Sequence, residues 1–148
     1  MTAPHDRILL VDDDESACQL LAEVLGREGY AVETALSVAE AERLLGTSGP
    51  FDAVLTDLRM PAASGLDLVR IVRSRDPDTI VLVLTAFGDA AATAEAIRAG
   101  AYDFISKPYD LDALRATLGT ALARRRLAEA RRAEAPEGAE PAPLAEGA

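Results

Sequence analysis

Cysteine is all but missing from this 148-residue chain: Cys18 stands alone. One thiol excludes a disulfide framework and any metal site built from several cysteines. Histidine is equally scarce. His5 by itself excludes multi-histidine zinc sites and leaves a Ser-His-Asp triad only one terminal candidate. No apolar run approaches the ~18 residues of a membrane span, and no signal-peptide pattern opens the chain. A GxxxxGK[ST] loop is absent, so nucleotide hydrolysis has no support, and no helix-turn-helix pattern follows the main body. The expectation is a soluble, cytoplasmic protein with no membrane partner.

What remains is ordinary in amount and uneven in placement. The chain is 49% hydrophobic and 27% charged, which fits one domain with a short remainder. A chain of this size buries roughly 68–70% of its unfolded surface and needs no covalent staple. The formal net charge is −10, while residues 121–148 hold five Arg and five Glu. The whole deficit therefore lies in residues 1–120. Such an acidic body suits cations and basic protein surfaces, and it argues against direct nucleic-acid binding by the main domain.

Apolar residues alternate between two periods along the chain. Strand-like runs fall at Arg7–Val11, Ala31–Thr34, Ala53–Thr56, Ile80–Thr85 and Tyr102–Ser106. Helical spacing fills the gaps. Glu15–Leu25 sets Leu20, Leu21, Val24 and Leu25 on one stripe, with Cys18 packing as a small hydrophobe. Ser37 with Glu40 forms a capping-box signature for a helix to Leu45, which Gly46 is expected to stop. Ser64–Ser74 precedes Pro77, Asp89–Ala99 closes at Gly100, and Asp110 opens a helix carrying Leu111, Leu114, Leu118 and Leu122.

Five strands alternating with five helices predict an α/β fold, a doubly wound five-stranded parallel sheet covered on both faces. The second strand alternates apolar and polar residues and reads as an edge. Sites in such sheets lie beyond the carboxyl ends of the strands, at the switch point of strand order. The predicted organisation is a domain over 1–122, a helical extension or linker over 123–135, and a disordered Pro-, Gly-, Ala- and Glu-rich tail over 136–148. The Arg124–Arg126 run with Arg131 and Arg132 reads as a solvated extension or a dimerising linker, so a homodimer is one partner it allows.

Each strand end expected at the switch point carries chemistry. These are Asp12-Asp13-Asp14, Thr56-Asp57, Thr85-Ala86 and Ser106-Lys107-Pro108. Lys107 is the only lysine, a point-charge ammonium among arginines. Two carboxylates ~4 Å apart repel by about 4 kcal/mol at an effective dielectric near 20, which a divalent cation relieves. Oxygen-only ligands with open positions favour Mg²⁺. Asp14 fits a turn or N-cap residue instead.

Ile8–Asp14, Leu55–Pro61, Leu84–Ala86 and Phe104–Pro108 together resemble the receiver domain of two-component response regulators, over about residues 6–122. The Ala-Gly-Ala-Tyr-Asp-Phe-Ile stretch before Lys107 is most similar to receivers of the NtrC type. The resemblance implies a flavodoxin-like strand order 2-1-3-4-5. It implies that Asp57 accepts a phosphoryl group from a sensor histidine kinase. Asp13, Asp57 and the backbone carbonyl of Arg59 would then hold Mg²⁺, with Asp12 acting through water. Lys107 would pair with the phosphoryl charge, in a cis bond to Pro108, and Thr85 would donate a hydrogen bond to it. Thr85 and Phe104 would move in the switch, read out on the fourth helix, fifth strand and fifth helix. Phe104 otherwise reads as core, and Tyr102 and Tyr109 as surface or rim.

Arg59 and Phe87 occupy positions that tune phosphoryl lifetime in this family, and neither can orient water, so slow self-dephosphorylation is expected. Such a chain is a regulatory phosphoacceptor rather than a classical enzyme, either stand-alone or the N-terminal piece of a longer regulator. Two rivals exist. A pseudo-receiver would bind partners without phosphorylation, but it usually lacks one of these residues and none is lost. A haloacid-dehalogenase-like phosphatase would need an acid at position 59, where Arg stands.

Overall fold

The structure is a computed structural model that describes residues 6–134. His5 and the tail from Pro136 lie outside the described residues. Five strands form one parallel sheet: β1 (Arg7–Val11), β2 (Ala31–Ala35), β3 (Ala53–Asp57), β4 (Ile80–Thr85) and β5 (Asp103–Ser106). The order is β2-β1-β3-β4-β5, the flavodoxin-like arrangement. Five helices connect and follow the strands: α1 (Glu15–Arg27), α2 (Val38–Thr47), α3 (Gly65–Arg75), α4 (Ala90–Ala99) and α5 (Leu111–Glu134).

The period of two along each central strand divides the core into two layers. Leu9, Val11, Val54, Val81 and Val83 face α2, α3 and α4, where Leu45, Leu68, Val72 and Ala96 meet them. Ile8, Leu10, Leu55, Leu82 and Leu84 face Cys18, Leu21 and Leu25 of α1 and Leu114, Leu118 and Leu122 of α5. Each fully buried Leu, Ile or Val contributes about 1.5–3 kcal/mol of transfer free energy, so these layers dominate the stability. β2 lies at the sheet edge, as its alternation predicts, and begins with an exposed Ala31.

Two local expectations need correction. Gly46 does not stop α2, which continues to Thr47 with Ser48 as its C-cap. A helical glycine costs only about 1 kcal/mol, and buried Leu45 anchors that turn. Leu20 is not part of the buried stripe of α1: it is 64% exposed, and the buried face is Cys18, Leu21 and Leu25. Those residues stand at i, i+3 and i+7, which turns Leu20 outward. The arginine run continues α5 as a largely solvated helical extension, as expected, with the Arg125 side chain drawn in. α5 is one helix to Glu134, and Arg125 reaches Asp52 Oδ1 at 2.6 Å and the Asp78 carbonyl at 2.8 Å. Arg126 pairs with Asp6, and Arg132 with Asp78 at 3.3 Å.

Candidate functional site

Parallel register brings the strand ends level. Val11 pairs with Thr56, Asp57 with Leu84, and Thr85 with Ser106. The residues that follow β1 and β5 and those that end β3 and β4 therefore meet at one edge of the sheet. Asp12 is buried there, its amide donating to the Ala35 carbonyl at 3.1 Å. Asp13 next to it is exposed. Asp14 serves the backbone as expected, capping α1 by accepting from the Ala17 amide at 3.2 Å.

Asp57 sits where two backbone constraints meet. The Leu58 amide donates to the Leu84 carbonyl at 3.0 Å, and the Gly65 amide to the Leu58 carbonyl at 2.8 Å. α3 approaches so closely that a Cβ on Gly65 would lie 2.5 Å from the Asp57 carbonyl oxygen. Glycine is required there by contact rather than by φ. Lys107 is fixed from the other side, its amide donating to the Thr85 carbonyl at 2.7 Å. The Lys107-Pro108 bond is cis, as the resemblance implies; Gly49-Pro50 is also cis, which no sequence reading anticipated.

The side chains converge accordingly. Lys107 Nζ lies 3.2 Å from Asp57 Oδ1 and 3.8 Å from Asp12 Oδ2. Carboxylate oxygens of Asp12, Asp13 and Asp57 all fall within 4.8 Å of one another. Burial pushes the Asp57 carboxyl above its ordinary pKa; Lys107 opposes this, and Asp12 and Asp13 reinforce it. Burial alone would lower Lys107, but the Asp57 and Asp12 carboxylates outweigh it and hold the ammonium above its ordinary value. Three acids share one base. That imbalance, in hard oxygen donors alone, fits a small divalent cation.

Around this centre the switch candidates occupy distinct environments. Thr85 is 4% exposed. Phe104 is 46% exposed, so the core reading of that ring does not hold. It lines a groove of about 470 Å³ with Thr85, Phe87, Thr93 and Ile97. Phe87 projects fully into solvent. Tyr102 is at the surface and Tyr109 is half-buried at the rim, packed against the α1–α5 layer. Arg59 holds a residue that sequence reasoning left as a helix opener: its Nε and Nη2 lie 2.6 and 2.5 Å from Asp89 Oδ1. Thirty positions separate the two, and no local spacing signals that pair.

Residues 8–119 match the family model described as the response regulator receiver domain. The chain belongs to that family. Among curated relatives, this receiver is 43% identical over 118 residues to the response regulator protein PilR of Pseudomonas aeruginosa, covering 80% of this chain and 26% of that protein. It is 40% identical over 118 residues to the acid tolerance regulatory protein ActR of Rhizobium meliloti, covering 80% and 60% respectively. A response regulator receiver domain structure from Clostridium thermocellum superposes with a TM-score of 0.79 at 31% identity, covering 82% of this chain and 98% of that one. NtrC-type regulators are among the relatives, PilR included, in line with the stretch before Lys107. The receiver spans about a quarter of PilR and three fifths of ActR.

Proposed function

We propose that this receiver is a cytoplasmic phosphoacceptor in which Asp57 takes a phosphoryl group from the phosphohistidine of a sensor histidine kinase. The observation that carries the reading is the placement of Asp57 at the sheet edge. There it contacts the only lysine at 3.2 Å and lies within the 4.8 Å cluster of Asp12 and Asp13. In the transfer, an Asp57 carboxylate oxygen forms the new bond to phosphorus. The phosphorus–nitrogen bond of the donor breaks, and its electron pair leaves with the imidazole. Burial that raises the Asp57 pKa also makes its carboxylate a better nucleophile.

Asp13, Asp57 and the Arg59 backbone carbonyl would hold Mg²⁺, with Asp12 acting through water. The bound cation supplies positive charge to the carboxylates and the incoming phosphoryl oxygens. Lys107 holds charge at the phosphoryl group as a point-charge donor, and Thr85 donates a hydrogen bond that gains strength because its acceptor is ionised. Thr85 and Phe104 change position with phosphorylation, and the α4–β5–α5 face reports it. The domain comprises the body to residue 122 together with the α5 extension docked beneath it.

Treatment with acetyl phosphate and Mg²⁺ should add one phosphoryl group by intact-mass spectrometry, and Asp57→Ala should abolish it. A chain that stays unmodified with both reagents is a pseudo-receiver. Self-dephosphorylation is slow on this reading, because neither Arg59 nor Phe87 carries an amide or carboxylate that orients an attacking water. Arg59→Asn with Phe87→Glu should shorten the phosphoryl half-life at least several-fold; an unchanged half-life removes this account of lifetime.

A further inference from the structure

All five helices begin on residues able to cap them, Asp110 before α5 accepting from the Asp112 amide at 2.9 Å, and one of those caps goes unused. Asp14 accepts from the Ala17 amide, Ser37 from Glu40 and Ser64 from Asp67, each in the geometry expected of an N-cap. Asp89 holds the same place before α4, yet its side chain makes no cap hydrogen bond. No acidic residue occupies the first turn of α4 either, so its free amides have no other negative partner within the helix. The Asp89 carboxylate instead receives the Arg59 guanidinium at 2.5 and 2.6 Å and the Ala86 amide at 3.4 Å.

The two members of that pair are unequal. Asp89 is 5% exposed and anchored at the β4–α4 turn, whereas the Arg59 side chain is 73% exposed. The guanidinium has come to the carboxylate, and it is the partner free to leave. Two positions separate Arg59 from Asp57, which keeps their Cα atoms within about 7 Å. A phosphoryl group on Asp57 would set a doubly charged, three-oxygen acceptor within reach of that long side chain. Guanidinium binds phosphate oxygens in a bidentate fork and favours the more highly charged partner.

We propose that Asp89 has two alternative partners and that phosphorylation selects between them. In the state described here it pairs with Arg59. When a phosphoryl group on Asp57 recruits the Arg59 guanidinium, Asp89 turns to cap the amides of Ala91 and Ala92. The inference rests on the phosphoacceptor reading of Asp57 and extends it to regulation of the same site. Ala90, Thr93, Ala94 and Ile97 of α4 line the groove beside Phe104, so ordering the first turn of α4 reshapes that groove. Asp89 is thus a positioning residue that links occupancy of Asp57 to the start of α4 without touching the phosphoryl group.

Amide exchange at Ala91 and Ala92, followed by NMR, tests the exchange of partners. In buffer with no phosphodonor, Arg59→Ala frees Asp89 to cap, and Asp89→Ser caps α4 while being too short to hold Arg59. Both variants should slow exchange at these two amides by about fivefold, the effect of restoring an N-cap. Exchange unchanged from the native chain in both variants overturns the proposal. In acetyl phosphate with Mg²⁺, the native chain should show the same slowing. If it carries the phosphoryl group by mass and the amides do not slow, phosphorylation does not select the cap and the proposal falls. If it takes up no phosphoryl group, the reading of Asp57 fails, while the two variants in donor-free buffer still decide whether Asp89 exchanges partners.

Discussion

The two ends of the sheet use the same residue type in opposite ways. At the amino ends of the strands, Asp6, Asp52 and Asp78 each have an arginine of α5 against them. Asp52 is engaged twice, accepting the Arg7 amide at 2.7 Å through its other oxygen. At the carboxyl ends, Asp12, Asp13 and Asp57 cluster, and among the described residues Lys107 alone pairs with them, through Asp12 and Asp57. One end is neutralised by the chain itself and behaves as structure. The other keeps a surplus of negative charge, which raises the cost of folding and is relieved only by something that binds. Uncompensated charge, rather than acidity as such, distinguishes the candidate site.

Breaking the comparison at the acidic end has the largest expected effect. Mg²⁺ at about a hundredfold excess over its dissociation constant should stabilise the native chain by about 2.7 kcal/mol. Asp13→Asn should lose that response in thermal melts while standing at or above the native chain in chelator. A lower melting temperature for this variant in chelator would count against charge crowding. At the compensated end, Arg125→Ala should cost about 2 kcal/mol in urea unfolding, because it leaves the partly buried Asp52 carboxylate with the Arg7 amide but without a counter-charge. A double-mutant cycle with Asp52→Ala measures the coupling directly.

A smaller effect has the reverse sign. Asp57→Asn in chelator should raise stability by roughly 1 kcal/mol, a gain of a few degrees for a domain of this size. The pH dependence follows from the raised Asp57 pKa. The folded state holds its proton more tightly than the unfolded chain, so this contribution is full at low pH and is lost as pH rises from about 4 through the folded value. Acid titrations of the native and Asn proteins should therefore converge at low pH and separate above it. Smallest of all, Arg132→Ala should change stability by less than about 0.5 kcal/mol, since both partners in its pair with Asp78 are more than half exposed. A loss comparable to that of Arg125→Ala would show that the pole acts as one network.

Alkaline conditions probe the interior instead. Burial raises Cys18 to about 11, with a smaller push from Asp12. The unfolded thiol ionises first, so stability falls as pH climbs from about 9 towards that value. Thiol labelling should accordingly be slow near neutral pH and track unfolding.

Much of this arrangement was legible in residue order. Apolar runs ending in Asp12, Asp57 and Thr85 locate three strand ends, and the rule for doubly wound sheets makes them meet. The alternation in Ala-Val-Glu-Thr marks β2 as an edge. What stayed hidden depends on contacts between distant segments. Arg126 and Asp6 are 120 positions apart, and Arg59 and Asp89 are 30. A run of arginines on a helix has the same local pattern whether it faces water or aspartates. Leu20 and Gly46 misled for a related reason: periodicity gives a stripe to within one residue, and tertiary packing decides which residue closes it.

Because Lys107 is the only lysine, the side-chain amine chemistry of the whole molecule is concentrated at the place where phosphate would arrive. Acylating reagents have one internal target, already engaged by Asp57 and Asp12. The rate at which that single amine is modified becomes an optical-label-free gauge of what the crevice holds at any moment.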